Sequence, residues 1–296
     1  MKKYLTKLGV AAGLSLTLLA TGCGSDTTSG GDGSVGDQLN YTITGIDAGA
    51  GIMAATEEAI EAYGLEDYTL QTSSSAAMTA ALAAAYENEE PIVVTGWTPH
   101  WKFAKYDLKY LEDPKGIFGE SEVIHTIARL GLDEEHPSAF EVLDNFYWEQ
   151  DDMGEIMIAV NEGADPKDAA SDWVANNQEK VSEWTNGVAP VDGDKLTLAF
   201  VAWDSEIAST HMIGKVLEDI GYNVELLSLE AAGMWTAVAT GSADAIVAAW
   251  LPGTHAAYYE DFKEDFIDLG VNLEGAGIGL VVPSYMDIAS IEDLNN

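Results

Sequence analysis

The sequence predicts an α/β fold in two lobes, and three observations predict it. The folded part of the 296-residue chain, from Tyr41 onward, is written twice. Within each copy, short strands alternate with helix-patterned stretches. Those strands are apolar runs without clean polar alternation, the pattern of parallel sheets covered by helices. At 47% hydrophobic residues the chain has ample material for a core, which excludes global disorder.

In chain order, Lys2, Lys3 and Lys7 precede a largely apolar run from Leu8 to Ala20, the plan of a secretory signal over residues 1–22. The run is too short for a bilayer span, which needs ~20 residues. It ends Leu19-Ala20-Thr21-Gly22-Cys23, which resembles the lipobox of bacterial lipoproteins, although Ala20 stands where leucine is commoner. That resemblance implies lipidation of Cys23, the sole cysteine, and an extracytoplasmic protein anchored to the cell membrane. Residues 24–38 are mostly Gly, Ser, Thr and Asp, so residues 23–40 read as a flexible tether.

The copies then run in register. Thr42–Ile46 and Leu196–Phe200 are strands, each followed by a small-residue or polar loop and a helical stretch that ends at Gly64 or Gly221. Tyr68–Thr72 and Val224–Ser228 are the next strands, and Ala-rich helices follow both. Pro91–Trp97 and Ala245–Trp250 read as buried strands, each closing on tryptophan before a proline and a histidine. His125–Asp133 corresponds to Leu280–Asp287. Between the copies, 137–184 reads as two or three amphipathic helices of structural role. The first lobe is expected over 41–120 plus 286–296 and the second over 121–285, with hinges near Gly119–Ile127 and Ile278–Met286.

Ligands of open α/β sheets bind beyond the C-terminal ends of the strands, so the loops at Asp47–Ile52, Trp97, Trp203 and Trp250 should converge. A tryptophan that closes a strand is often only a lid on the sheet edge. Three at equivalent loop ends of a duplicated fold also make a box of indole faces. Its natural guest is a quaternary ammonium, which is drawn to π-faces and has no hydrogen-bond donors. Gly49 and Gly51 permit close backbone approach, and their loop opens a helix whose free N–H groups favour an anion.

The stretches GIDAGAGIM, TSSSAAMTAAL, VVTGWTPHW, KYDLKYLEDPKG, WDSEIAST, AAWLPGTH and GLVVPSYM closely resemble the glycine betaine-binding proteins of ABC importers, of the OpuAC type. The resemblance implies a two-lobed, type II periplasmic-binding-protein-like fold with the ligand in the cleft. It implies that Trp97, Trp203 and Trp250 cage the trimethylammonium group, and that Gly51 and Ile52 N–H groups and the His255 side chain hold the carboxylate. The expected partners are glycine betaine, the permease and ATPase subunits of the importer, and the membrane through the lipid anchor. The expected state is a monomer without cofactor, metal or enzymatic activity. A choline or carnitine receptor is the alternative within the class, and an α/β enzyme acting on a quaternary amine the alternative outside it.

Charge and motifs exclude other classes. Fifty acidic against 13 basic residues give −37, and loss of the three signal lysines brings this to −40, so nucleic acid is not a partner. Arg129 is the only arginine, which leaves little for binding a polyanion. His125, His136 and His211 lack metal-ligand spacing, and His100 reads as a neighbour of the site. Ser73–Ser75 suit an N-cap more than a nucleophile, and Walker loops and nucleophile elbows are absent from the sequence. Trp101, Trp148, Trp173, Trp184 and Trp235 read as packing residues, and the acidic runs as solvated faces.

Overall fold

The structure, a computed structural model, describes residues 33–296. It opens with helix α1 (Val35–Gln38), then β1 (Thr42–Thr44), α2 (Gly51–Tyr63), β2 (Thr69–Gln71), α3 (Ser75–Glu87), β3 (Val93–Thr98), α4 (Lys102–Lys105) and β4 (Leu108–Tyr110). Strand β5 (Glu122–Arg129) leads into α5 (Leu132–Glu135), α6 (Pro137–Asn145), α7 (Gln150–Asn161), α8 (Pro166–Asn176) and α9 (Gln178–Thr185). The alternation resumes with β6 (Lys195–Phe200), α10 (Asp204–Asp219), β7 (Asn223–Ser228), α11 (Ala231–Ala239), β8 (Ala245–Leu251) and α12 (Ala256–Phe262). The long strand β9 (Phe266–Pro283) and a 3-10 turn (Ile291–Asn295) complete it.

The strands order as β2-β1-β3-β9-β5-β8-β6-β7, with β4 also on β9. At either end lies a parallel triad, β2-β1-β3 and β8-β6-β7, the same arrangement built twice. These triads are the sheets of the two lobes, and antiparallel β5 and β9 join them. Strand β9 pairs with β5 up to Ala276 and with β3 from Gly277, so it changes lobe between those two residues. Strand β8 is buried throughout and β3 from Val93 to Trp97, with α10 and α11 packed on β8 and α2 on β3.

Local chemistry sets the helix ends. Ser74 caps α3 by accepting from the Ala77 N–H at 3.2 Å, and Asp165 caps α8 with Pro166 at its first position. Gly64 ends α2 in the left-handed region, φ 69°.

Three local expectations differ from what forms. The tether expected over 23–40 gives way at Val35, because Ser34 and Asp37 form a capping box, Leu39 is buried and the Val35 N–H donates to the Asn296 carbonyl. Between the copies, four helices (α6 to α9) form instead of two or three, since Pro166 and Asn177 each start a new one. Helix α10 begins at Asp204, within the stretch that reads as a polar loop after Phe200. The signal segment 1–22, Cys23 and the tether through Asp32 lie outside the described residues.

Candidate functional site

The three singled-out tryptophans come from the C-terminal ends of the parallel triads. Trp97 sits near the end of β3, Trp250 near the end of β8, and Trp203 is the N-cap of α10 just past β6. All three are buried, and with Ile46, Ile52, Thr254 and Ile278 they line one small cavity with an apolar wall. Trp97 and Trp203 face each other across the lobes, with ring centroids 6.2 Å apart and planes at 48°.

Protein acceptors take the indole N–H groups. Trp97 donates to Ser205 Oγ (3.0 Å), Trp203 to Asp47 Oδ2 (3.1 Å) and Trp250 to Glu206 Oε1 (2.6 Å). With every N–H engaged at a ring edge, these three indoles have π-faces and no free donor.

The other end of the cavity is built from a helix start and a loop. Gly51 and Ile52 are the first two residues of α2, the N-cap Ala50 contributes no side-chain bond, and neither N–H donates to an acceptor among the described residues. Only glycine fits at 51, since a Cβ there would lie 2.0 Å from the Thr254 carbonyl oxygen. Thr254 is held by the buried Glu122 of β5, which accepts from its N–H at 2.5 Å and its hydroxyl at 2.8 Å.

His255 follows Thr254 and is wholly buried. Its Nδ1 accepts from the Trp250 N–H at 3.1 Å, which assigns the ring proton to Nε2, and Nε2 has no partner among the described residues. Burial pushes the imidazole down to about 3, so the ring is neutral and keeps one free donor. Trp203 stacks on it at 5.9 Å, and Trp235 meets it edge-on at 5.8 Å.

A second group of residues, outside the six expected to hold the ligand, knits the lobes at the start of α10. Asp204 accepts from Ser75 Oγ (2.8 Å) and Trp101 Nε1 (2.7 Å), and His100 Nε2 stands 3.6 Å from it, too far for a hydrogen bond. Burial opposes ionisation of Asp204, but these neighbours outweigh it and hold its carboxyl well below the usual range. Trp101, expected to be a packing residue, therefore also bridges the lobes. His100 itself is pushed down to about 4, first by burial and then by Lys102. Lys102 is fully buried with Nζ 4.4 Å from the Trp97 ring centroid, and burial lowers it to about 7. The remaining tryptophans do pack: Trp173 stacks on Trp184, and Trp148 meets Trp173 edge-on. Ser74 caps a helix as expected, and no helix among the described residues is long and apolar enough to cross a membrane.

The family model for OpuAC, the substrate binding domain of ABC-type glycine betaine transport systems, matches residues 26–176 and 194–296. The chain belongs to the OpuAC family. It is 55% identical to the glycine betaine/carnitine transport binding protein GbuC of Listeria monocytogenes serotype 1/2a (strain 10403S), over 99% of each chain. Among solved structures, lactococcal OpuAC complexed with glycine betaine in its closed-liganded conformation is 49% identical, with a TM-score of 0.49, over 52% of this chain and 61% of that one. The glycine/betaine/L-proline-binding protein ProX of Borrelia burgdorferi is 39% identical, with a TM-score of 0.49, over 51% of this chain and 58% of that one. This OpuAC chain is accordingly a substrate-binding protein of an ABC-type glycine betaine transport system.

Proposed function

We propose that the protein captures glycine betaine outside the cytoplasm and delivers it to the permease and ATPase subunits of an ABC importer, as a monomer tethered through a lipid on Cys23 and without catalysing a reaction. The observation that carries the reading is the single apolar cavity shared by Trp97, Trp203, Trp250 and the start of α2. A trimethylammonium group fits between π-faces whose N–H edges are already engaged. The carboxylate of the same molecule meets the Gly51 and Ile52 N–H groups, which the α2 macrodipole makes electropositive, and the neutral His255 Nε2–H.

The cage tryptophans come from both lobes, so the site is complete only when the lobes close. The lobes meet through the chain at 119–122 and where β9 passes from Ala276 to Gly277, and these are the proposed hinges. Carnitine, a longer zwitterion with the same two charged ends, is the second reading, because the 55% identical relative carries both ligand names.

Calorimetry of residues 33–296 against glycine betaine, carnitine, choline and glycine tests the ligand. Glycine betaine is expected to bind far more tightly than choline or glycine, and equal binding of choline overturns the zwitterion reading. At each cage position Trp→Leu is expected to cost more affinity than Trp→Tyr, since tyrosine keeps a π-face worth about 0.5–2 kcal/mol. If Leu and Tyr variants bind alike, the tryptophans are lids on the sheet edge. Fatty-acid labelling of the wild type, lost in Cys23→Ala, tests the anchor.

A further inference from the structure

Among the described residues, Glu206 is the one carboxylate linked to two of the three tryptophans, to Trp250 directly and to Trp97 through Ser205. It lies in the first turn of α10, fully buried, and accepts from Trp250 Nε1 at 2.6 Å through one oxygen. Its other oxygen accepts from the Ser205 hydroxyl at 2.6 Å, and Ser205 Oγ in turn accepts from Trp97 Nε1 at 3.0 Å. A single acid thereby ties Trp97 of the first lobe to Trp250 of the second.

No lysine, arginine or histidine pairs with Glu206 among the described residues. A buried, unpaired carboxylate is costly, and a neutral amide would satisfy an indole N–H and a hydroxyl at less cost to the fold. The start of a helix offsets part of that cost. What the charge adds is electrostatic. A carboxylate at the N–H edge strengthens the hydrogen bond and polarises the indole, making its π-face more attractive to a cation.

We propose that Glu206 is a positioning residue of the cage that also supplies its buried negative charge, fixing Trp250 directly and Trp97 through Ser205 and selecting a guest whose compact apolar head is positively charged. This rests on the reading of the cavity as a trimethylammonium site and names what makes that site prefer a cation to a neutral group of the same shape. Burial pushes the Glu206 carboxyl up to about 7, the range in which an arriving cation tips it to the carboxylate.

The test compares glycine betaine with 3,3-dimethylbutyrate, in which carbon replaces the quaternary nitrogen, by calorimetry and competition at pH 8. Glu206→Gln keeps the size and one acceptor for Trp250 Nε1, turns the contact with Ser205 Oγ from acceptor to donor, and removes the charge. It is expected to weaken glycine betaine at least tenfold, the order for unit charges about 12 Å apart at an effective dielectric of ~20, and by more for any shorter separation. Binding of 3,3-dimethylbutyrate is expected to stay the same or tighten. Glu206→Asp keeps the charge while loosening both hydrogen bonds, so it should weaken both ligands yet retain the preference for betaine. It serves as the deciding variant if the glutamine form does not fold. Ser205→Ala, which removes the bridge from Glu206 to Trp97 and leaves the bond to Trp250, is expected to weaken both ligands alike. Equal losses of the two ligands in Glu206→Gln, or loss of the preference in Glu206→Asp, overturns the proposal. A wild-type protein that binds both ligands equally would instead sink the cation-cage reading itself.

Discussion

At the scale of single residues, His255 separates binding from folding. Its Nδ1 is spent on the Trp250 N–H, while its Nε2–H is buried with no partner among the described residues. A fold does not ordinarily retain such a donor, since an unmet buried polar group costs about 1–3 kcal/mol. His255→Ala is expected to weaken glycine betaine by that same order. Choline lacks the carboxylate and should bind as before, so calorimetry with the two ligands decides: equal losses would make His255 a support for Trp250 only. Of the six residues expected to hold the ligand, duplication marks the three tryptophans and loop chemistry marks Gly51, whereas Ile52 and His255 rest on the family resemblance. Asp204, Glu206 and Lys102 were not legible. In a chain with 50 acids, two more at a helix start read as solvated, and a lysine read from sequence alone is assigned to water. Only tertiary packing buries them against Ser75, Trp101, Trp250 and Trp97.

At the scale of elements, the start of α2 joins sequence to chemistry most directly. Its N-cap Ala50 provides no capping side chain, so the first N–H groups stay free, and Gly51 brings them against the Thr254 backbone. Gly51→Ala places a methyl 2.0 Å from a carbonyl oxygen that Glu122 holds in place. Overpacking of that kind costs about 1–3 kcal/mol, and here it moves the carboxylate pocket itself. Betaine affinity is expected to fall at least tenfold while the unliganded melting temperature drops by only a few degrees. An unchanged affinity would remove this loop from the site. The alternation of strand and helix was legible in the two parallel triads, because hydrophobic period and glycine stops agree in both copies, but not in β4 or the first part of β9. Helix boundaries were less legible. Residues Asp204–Glu206 look like loop, since helix starts and polar loops share the same residue types. Residues 35–39 look like linker because their order depends on the far end of the chain, at Asn296.

At the scale of the whole molecule, charge and ligand pull on different properties. Without residues 1–22 the chain carries −40, and like charges on a compact surface repel one another. Glycine betaine is a zwitterion with no net charge, and the site proposed for it is made of buried indoles and backbone groups, which screening ions reach poorly. Sodium chloride should therefore stabilise the fold much more than it alters capture. The melting temperature of residues 33–296 is expected to rise steadily from low to molar salt, where the screening length shrinks from about 30 Å at 0.01 M to 3 Å at 1 M. Over the same series the betaine dissociation constant should move by less than about threefold, because screening acts weakly on a buried pair of opposite charges. Thermal scans and calorimetry on one set of samples measure both quantities. An order-of-magnitude loss of affinity across that range would mean that the site binds through exposed charge, and the enclosed cage would have to be abandoned.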